Sequence, residues 1–256
     1  MMSGLLEVCV DSLVSARAAI AGGADRLELC SALAVGGLTP SPDLLVQIRR
    51  ESSIPVRCLM RPRAGDFLYT PEEIQLMAME IARLRDLGAD GFVIGCLTPE
   101  GELDGSAMAP LLDASRGKGL TLHRCVDVSR DPVQTYQAAG RLGLDTVLTS
   151  GGAANCSAGK ETIAAMLALQ DAGKGPQVLV GAGVNADVIT AFRRELSGAR
   201  AFHMSGKENR ESGMRFRREG VPMGIPGLDE WHISQTSAHA VRLARQALDG
   251  SSPIGY

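Results

Sequence analysis

Four times in this chain a glycine closes a helix-like stretch, a polar residue follows, and a strand-like run begins. The four copies are Gly23-Ala24-Asp25-Arg26-Leu27-Glu28, Gly88-Ala89-Asp90-Gly91-Phe92-Val93, Gly143-Leu144-Asp145-Thr146-Val147-Leu148 and Gly198-Ala199-Arg200-Ala201-Phe202-His203. Each glycine is placed to end the preceding helix in the left-handed conformation. The repeats precede the second, fourth, sixth and eighth of eight candidate strands: Leu5 to Val10, Arg26 to Cys30, Val56 to Met60, Gly91 to Gly95, Leu120 to Arg124, Thr146 to Thr149, Gln177 to Gly181 and Arg200 to Met204.

Helical patterns fill the intervals, at Leu13 to Ala21, Pro42 to Glu51, Pro71 to Leu87, Gly105 to Ser115, Pro132 to Arg141, Gly159 to Ala172 and Ala186 to Leu196. Ser41-Pro42, Thr70-Pro71 and Asp131-Pro132 read as helix caps with proline in the first turn. Strict alternation implies parallel pairing through right-handed crossovers. A fourfold βαβα repeat predicts a single α/β domain over residues 1–256, a (β/α)8 TIM barrel with an eight-stranded parallel sheet. The competing arrangement, a Rossmann-like sheet with a small second domain, lacks a Gly-x-Gly-x-x-Gly after the first strand. The pattern loosens over 205–226, expected to be a long loop after strand eight, and 229–248 reads as the closing helix.

A net charge of −3 offers no basic field for nucleic acid or for an anionic membrane surface. No apolar run approaches the roughly 20 residues of a membrane span, and the first residues lack a leader pattern, which predicts a cytoplasmic protein. The six cysteines are scattered without Cys-x-x-Cys pairs.

In a barrel of this kind function belongs at the carboxyl ends of the strands. Period-two counting places Glu7, Cys9 and Asp11 on one face, and likewise Arg26, Glu28 and Cys30; Arg57, Leu59 and Arg61; Thr121 and His123; His203 and Ser205. Val8, Val10, Leu27, Leu29, Met60, Leu122 and Phe202 are left to face the helices, so the polar set points into the barrel mouth. Arg61-Pro62-Arg63 stands where strand three stops. Proline holds Arg61 extended, and two guanidiniums suit a carboxylate or phosphate. Buried charge demands pairing, for which Glu28 with Arg61, and Glu7 or Asp127 with Arg124, are the expected partners.

His123 is the expected acid/base, oriented by Asp127, with His203 at the equivalent end of strand eight. The catalytic candidates are thus His123, Asp127, Glu28 and Arg61. Thr149-Ser150-Gly151 and the Gly181 and Gly183 turn, near Ser205, are placed to bind an anion through backbone amides. Arg63, Asp66, Arg124 and His203 complete the expected substrate-binding set. Glu7-Val8-Cys9 and Glu28-Leu29-Cys30 repeat one Glu-x-Cys step on neighbouring strands, about 4.8 Å apart, and two inward thiols could hold a soft ion such as Cu(I).

These residues resemble those of the CutC family, associated with copper homeostasis. The resemblance runs through Leu6-Glu7-Val8-Cys9-Val10-Asp11-Ser12, Gly22 to Cys30, Gly36-Gly37-Leu38-Thr39-Pro40-Ser41, Arg61 to Phe67, His123-Arg124, Asp127, Leu148-Thr149-Ser150-Gly151 and Ser212-Gly213-Met214-Arg215-Phe216. It implies a (β/α)8 barrel, a cytoplasmic homodimer, and a Cu(I) site at the positions of Cys9 and Cys30. The alternative is an enzyme acting on a small anionic or phosphorylated metabolite at the barrel mouth.

Overall fold

A computed structural model describes residues 4–250 except 219, 222, 225, 226 and 228, so both ends of the expected 1–256 domain lie outside the described residues. The eight strands are β1 (Leu5–Val10), β2 (Arg26–Leu29), β3 (Val56–Leu59), β4 (Gly91–Ile94), β5 (Gly119–Leu122), β6 (Thr146–Thr149), β7 (Gln177–Val180) and β8 (Ala201–Met204). They pair in parallel and in chain order, and β1 closes on β8 to complete a barrel. Around it lie α1 (Leu13–Gly22), α2 (Pro42–Glu51), α3 (Pro71–Asp86), α4 (Gly105–Ser115), α5 (Pro132–Arg141), α6 (Lys160–Asp171), α7 (Ala186–Glu195) and α8 (Ala238–Asp249). This is the expected (β/α)8 architecture. No helix among the described residues is long and apolar enough to cross a membrane.

Local chemistry explains the boundaries. Thr70 and Glu73 form a reciprocal capping box that starts α3, and Asp131 accepts from Val133 N and Gln134 N at α5. Ser41 occupies the cap position of α2 without a side-chain bond. Gly23, Gly88 and Gly143 have positive φ, as three of the four repeats predict. Gly198 is different: its φ is not positive, and the nearest atoms to a Cβ there belong to the exposed Asp171 side chain.

The closing helix is shorter than expected. The segment before it forms an antiparallel hairpin of β9 (Lys207–Glu211) and β10 (His232–Thr236). The sequence reading missed both strands because their residues are mostly exposed and polar, leaving no apolar alternation to count.

Alternation divides the strands between two environments. Leu6, Val8, Val10, Leu27, Leu29, Met60, Leu122 and Phe202 join the helices in one large core. Among the described residues the barrel interior holds two small apolar clusters, Cys9 with Cys30, Leu59 and Val93, and Leu148 with Leu179 and Ala201. The rest of the interior is polar. At the amino-terminal end Arg57 crosses the lumen, donating to Thr121 Oγ1 at 2.6 Å and to Asp145 Oδ1 at 2.7 Å. Glycine at 119 makes that possible, since a Cβ there would lie 2.6 Å from the Arg57 Nη2. That end is filled, which leaves the carboxyl end of the strands as the place for a ligand.

Candidate metal and ligand site at the barrel mouth

A cavity of about 710 Å³ opens at the carboxyl ends of the strands. Cys9, Asp11, Glu28, Arg61, His123, Arg124, His203 and Ser205 line it, as does Phe67 from the segment between β3 and α3. A further wall comes from the β9–β10 hairpin through Lys207, Asn209, His232, Ser234, Gln235 and Thr236. That wall was not legible in the sequence. The β-branched residues of His232-Ile233-Ser234-Gln235-Thr236 were the one local signal that could have revealed it.

Register arranges the mouth in levels. Glu7 lies opposite Arg26 on β2 and opposite His203 on β8, while Cys9 lies opposite Glu28. Glu7 is fully buried and accepts from Arg26 Nε at 2.5 Å; its other oxygen meets His203 Nδ1 at 2.8 Å. Burial alone would raise the Glu7 pKa, but the Arg26 and His203 charges and hydrogen bonds outweigh it and bring it to about 2. For His203 burial favours the neutral ring, yet Cys9, Glu28 and Glu7 hold its pKa well above the ordinary value. The pair is therefore a carboxylate with an imidazolium.

One level higher, ligand atoms of Cys9, Glu28 and His203 all fall within 4.8 Å of one another. His203 Nε2 is 3.7 Å from Glu28 Oε2, and the His203 side chain is only 11% exposed. Burial raises the Glu28 pKa, with Glu7 adding to the effect. The Cys30 thiol lies 3.4 Å from Glu28 Oε2. Burial, followed by the Glu28 charge, pushes its pKa well up. The stagger between β1 and β2 sets Cys9 against Glu28, with Cys30 two residues further along the chain, and the two cysteines pack in the same small cluster.

The expected Glu28–Arg61 ion pair is not formed. The Arg61 nitrogens donate to the backbone carbonyls of Val35 at 2.9 Å, Gly37 at 3.1 Å and Gly65 at 2.9 Å, because the segments after β2 and β3 fold over the guanidinium. Nor does Asp127 orient His123. The chain turns into a 3-10 helix over Arg124–Val128, which carries Asp127 toward β6. There it accepts from Arg124 Nε at 2.7 Å, Thr149 Oγ1 at 2.6 Å, Ser150 N at 3.0 Å and Gly152 N at 3.1 Å.

Asp127 thus occupies the amide cradle where an external anion was expected. Gly151 N is likewise taken, by Thr149 Oγ1 at 2.8 Å, and Gly181 N donates to Thr149 O at 2.9 Å. Thr149, Ser150, Gly151, Gly181 and Gly183 are not part of the cavity wall. Arg63 and Asp66 also stay outside it. Arg63 binds Glu73 at 2.6 Å and Asp66 at 3.0 Å and is 39% exposed, bracing the loop instead of the mouth.

His123 is buried, and its Nδ1 accepts from Cys125 N at 3.2 Å. Desolvation, then the Arg61 charge, lowers its pKa to about 3, so the ring is neutral with its proton on Nε2. That Nε2 has no hydrogen-bond partner among the described residues.

The family profile of CutC matches residues 4–208. A CutC family protein of Chromobacterium violaceum is 39% identical over 248 residues, covering 97% of this chain and 99% of its own. One from Porphyromonas gingivalis is 40% identical over 250 residues, covering 97% and 100%. The crystal structure of a Streptococcus agalactiae CutC, provisionally named a copper homeostasis protein, superimposes with a TM-score of 0.73 at 29% identity, covering 79% of this chain and 98% of that one.

Proposed function

Since the chain belongs to the CutC family, we propose that it serves copper homeostasis by holding a Cu(I) ion between Cys9 and His203 in the barrel mouth. The observation that carries this reading is the convergence of the Cys9, Glu28 and His203 ligand atoms within 4.8 Å. Thiolate and imidazole suit Cu(I), whereas carboxylate is a poor ligand for it. Glu28 is then a proton acceptor beside the ion, and Cys9 and His203 are the ligands. Glu7 supports the assignment: it holds Nδ1 of His203 at 2.8 Å and leaves Nε2 directed toward Glu28. Histidine ligands are commonly oriented by such a carboxylate on the opposite ring nitrogen. Cys30, whose thiol lies 3.4 Å from Glu28 Oε2, stands outside the three converging ligand atoms and is read as a reserve thiol.

Competition against a chromogenic Cu(I) chelator tests the assignment. Cys9→Ser is expected to weaken Cu(I) binding at least about a hundredfold, since loss of a supporting residue alone costs about 10- to 100-fold. Cys30→Ser is expected to weaken it less than about tenfold. Wild-type affinity in Cys9→Ser refutes the assignment.

A further inference from the structure

Arg61 is a cation without an anion. It is only 8% exposed, and among the described residues it forms no ion pair; its terminal nitrogens meet three neutral carbonyls. An enclosed charge of this kind is costly unless a counter-charge meets it. Its Nε–H has no partner, and neither has the Nε2–H of His123, which is 4% exposed. Both residues line the same cavity, and the same ring lies against each: the Phe67 centroid is 5.2 Å from Arg61 Cζ and 4.7 Å from the His123 ring.

We infer that this wall of the cavity is a binding site for a small organic carboxylate, whose two oxygens accept from Arg61 Nε and His123 Nε2. The site shares the cavity with the thiol and imidazole pair proposed for copper but uses neither of those residues, and does not depend on that proposal. Two donors and one positive charge match two oxygens and one negative charge. A phosphate ester fits poorly. The turn amides that would serve it are bonded to Asp127, and Asp11 and Glu28 in the same cavity repel a second negative charge. Leu33, Leu59, Leu148 and Phe67 give the remaining wall an apolar character, so the acid carries a small aliphatic body. Both donor atoms are closed off from water, and the half-buried Phe67 ring must turn aside for the carboxylate to reach them.

Isobutyrate, its neutral isostere isobutyramide, and inorganic phosphate are the probes, titrated into the full-length protein and followed by NMR. Isobutyrate is expected to bind saturably with a Kd on the order of 1 mM, and isobutyramide and phosphate at least about tenfold more weakly. Arg61→Lys and His123→Asn should each weaken isobutyrate about tenfold, the usual effect of losing one charge-assisted hydrogen bond. Arg61 also braces two loops, so His123→Asn and the acid-to-amide comparison on the wild type keep the test decisive if Arg61→Lys does not fold. Equal binding of isobutyrate and isobutyramide overturns the inference. So does tighter binding of phosphate, absence of saturable isobutyrate binding, or unchanged affinity in folded variants.

Discussion

Glu7→Gln is expected to destabilise the folded protein by about 3–5 kcal/mol, the cost of removing one partner from a buried ion pair. Glu7 is fully buried, its Arg26 partner is 8% exposed, and both carboxylate oxygens are engaged, one by Arg26 Nε at 2.5 Å and one by His203 Nδ1 at 2.8 Å. Glutamine matches the shape but removes the charge, leaving two enclosed cationic groups facing each other. For a chain of 256 residues the loss corresponds to a fall in Tm of roughly 10 °C. Urea unfolding monitored by circular dichroism measures it. A loss below about 1 kcal/mol would mean that water reaches the level of Glu7 and that the lumen there is not enclosed. Glu51→Gln makes the contrast: it breaks the Arg17 pair on the surface, where both side chains are well exposed, and should leave the unfolding curve where it was.

The second large effect is an acid one, and it belongs to His123. Its folded pKa of about 3 lies below the ordinary 6.5, because burial and the Arg61 charge oppose protonation. The unfolded chain therefore binds a proton that the folded chain refuses. The stability held by neutral His123 is complete above pH 6.5 and is lost as the pH falls from 6.5 toward 3, at up to about 1.4 kcal/mol per pH unit. His123→Asn removes the titration while keeping an acceptor for Cys125 N. Unfolding free energies at pH 7, 6, 5 and 4 should fall more steeply for the wild type than for the variant (roughly evenly spaced steps). Parallel slopes would show that His123 is hydrated in the folded protein.

The fold was legible because its signals are local and repeated. Glycine-terminated helices before alternate strands, cap-plus-proline starts and period-two alternation are each written within about ten residues, and all eight barrel strands stand within one or two residues of their expected bounds. The inventory of the mouth was legible for the same reason: Cys9, Glu28, Arg61, His123, Arg124, His203 and Ser205 all line the cavity. Their pairing was not. Which carboxylate meets which cation depends on the stagger between strands and on where loops fold back, and neither is a property of spacing within one strand. Glu28 was matched to Arg61 because both sit at the ends of adjacent strands. In the barrel the β8 imidazole reaches Glu28 instead, and loop carbonyls enclose Arg61. Asp127 shows the same limit. Three residues of 3-10 helix turn it from His123 into the β6 turn, where it takes the amides that glycine spacing had suggested for an outside anion. The β9–β10 wall carries no apolar period, and the β-branched Ile233 and Thr236 are too weak a signal alone to mark a strand.

The proposed Cu(I) site uses one thiolate and one imidazole, Cys9 and His203, and not the two cysteines of the duplicated Glu-x-Cys step. Copper X-ray absorption of the protein loaded with one equivalent of Cu(I) tests it most directly. A mixed shell with one sulfur and one nitrogen scatterer, the nitrogen lost in His203→Ala, is the predicted result. A shell of two sulfurs without nitrogen would contradict it.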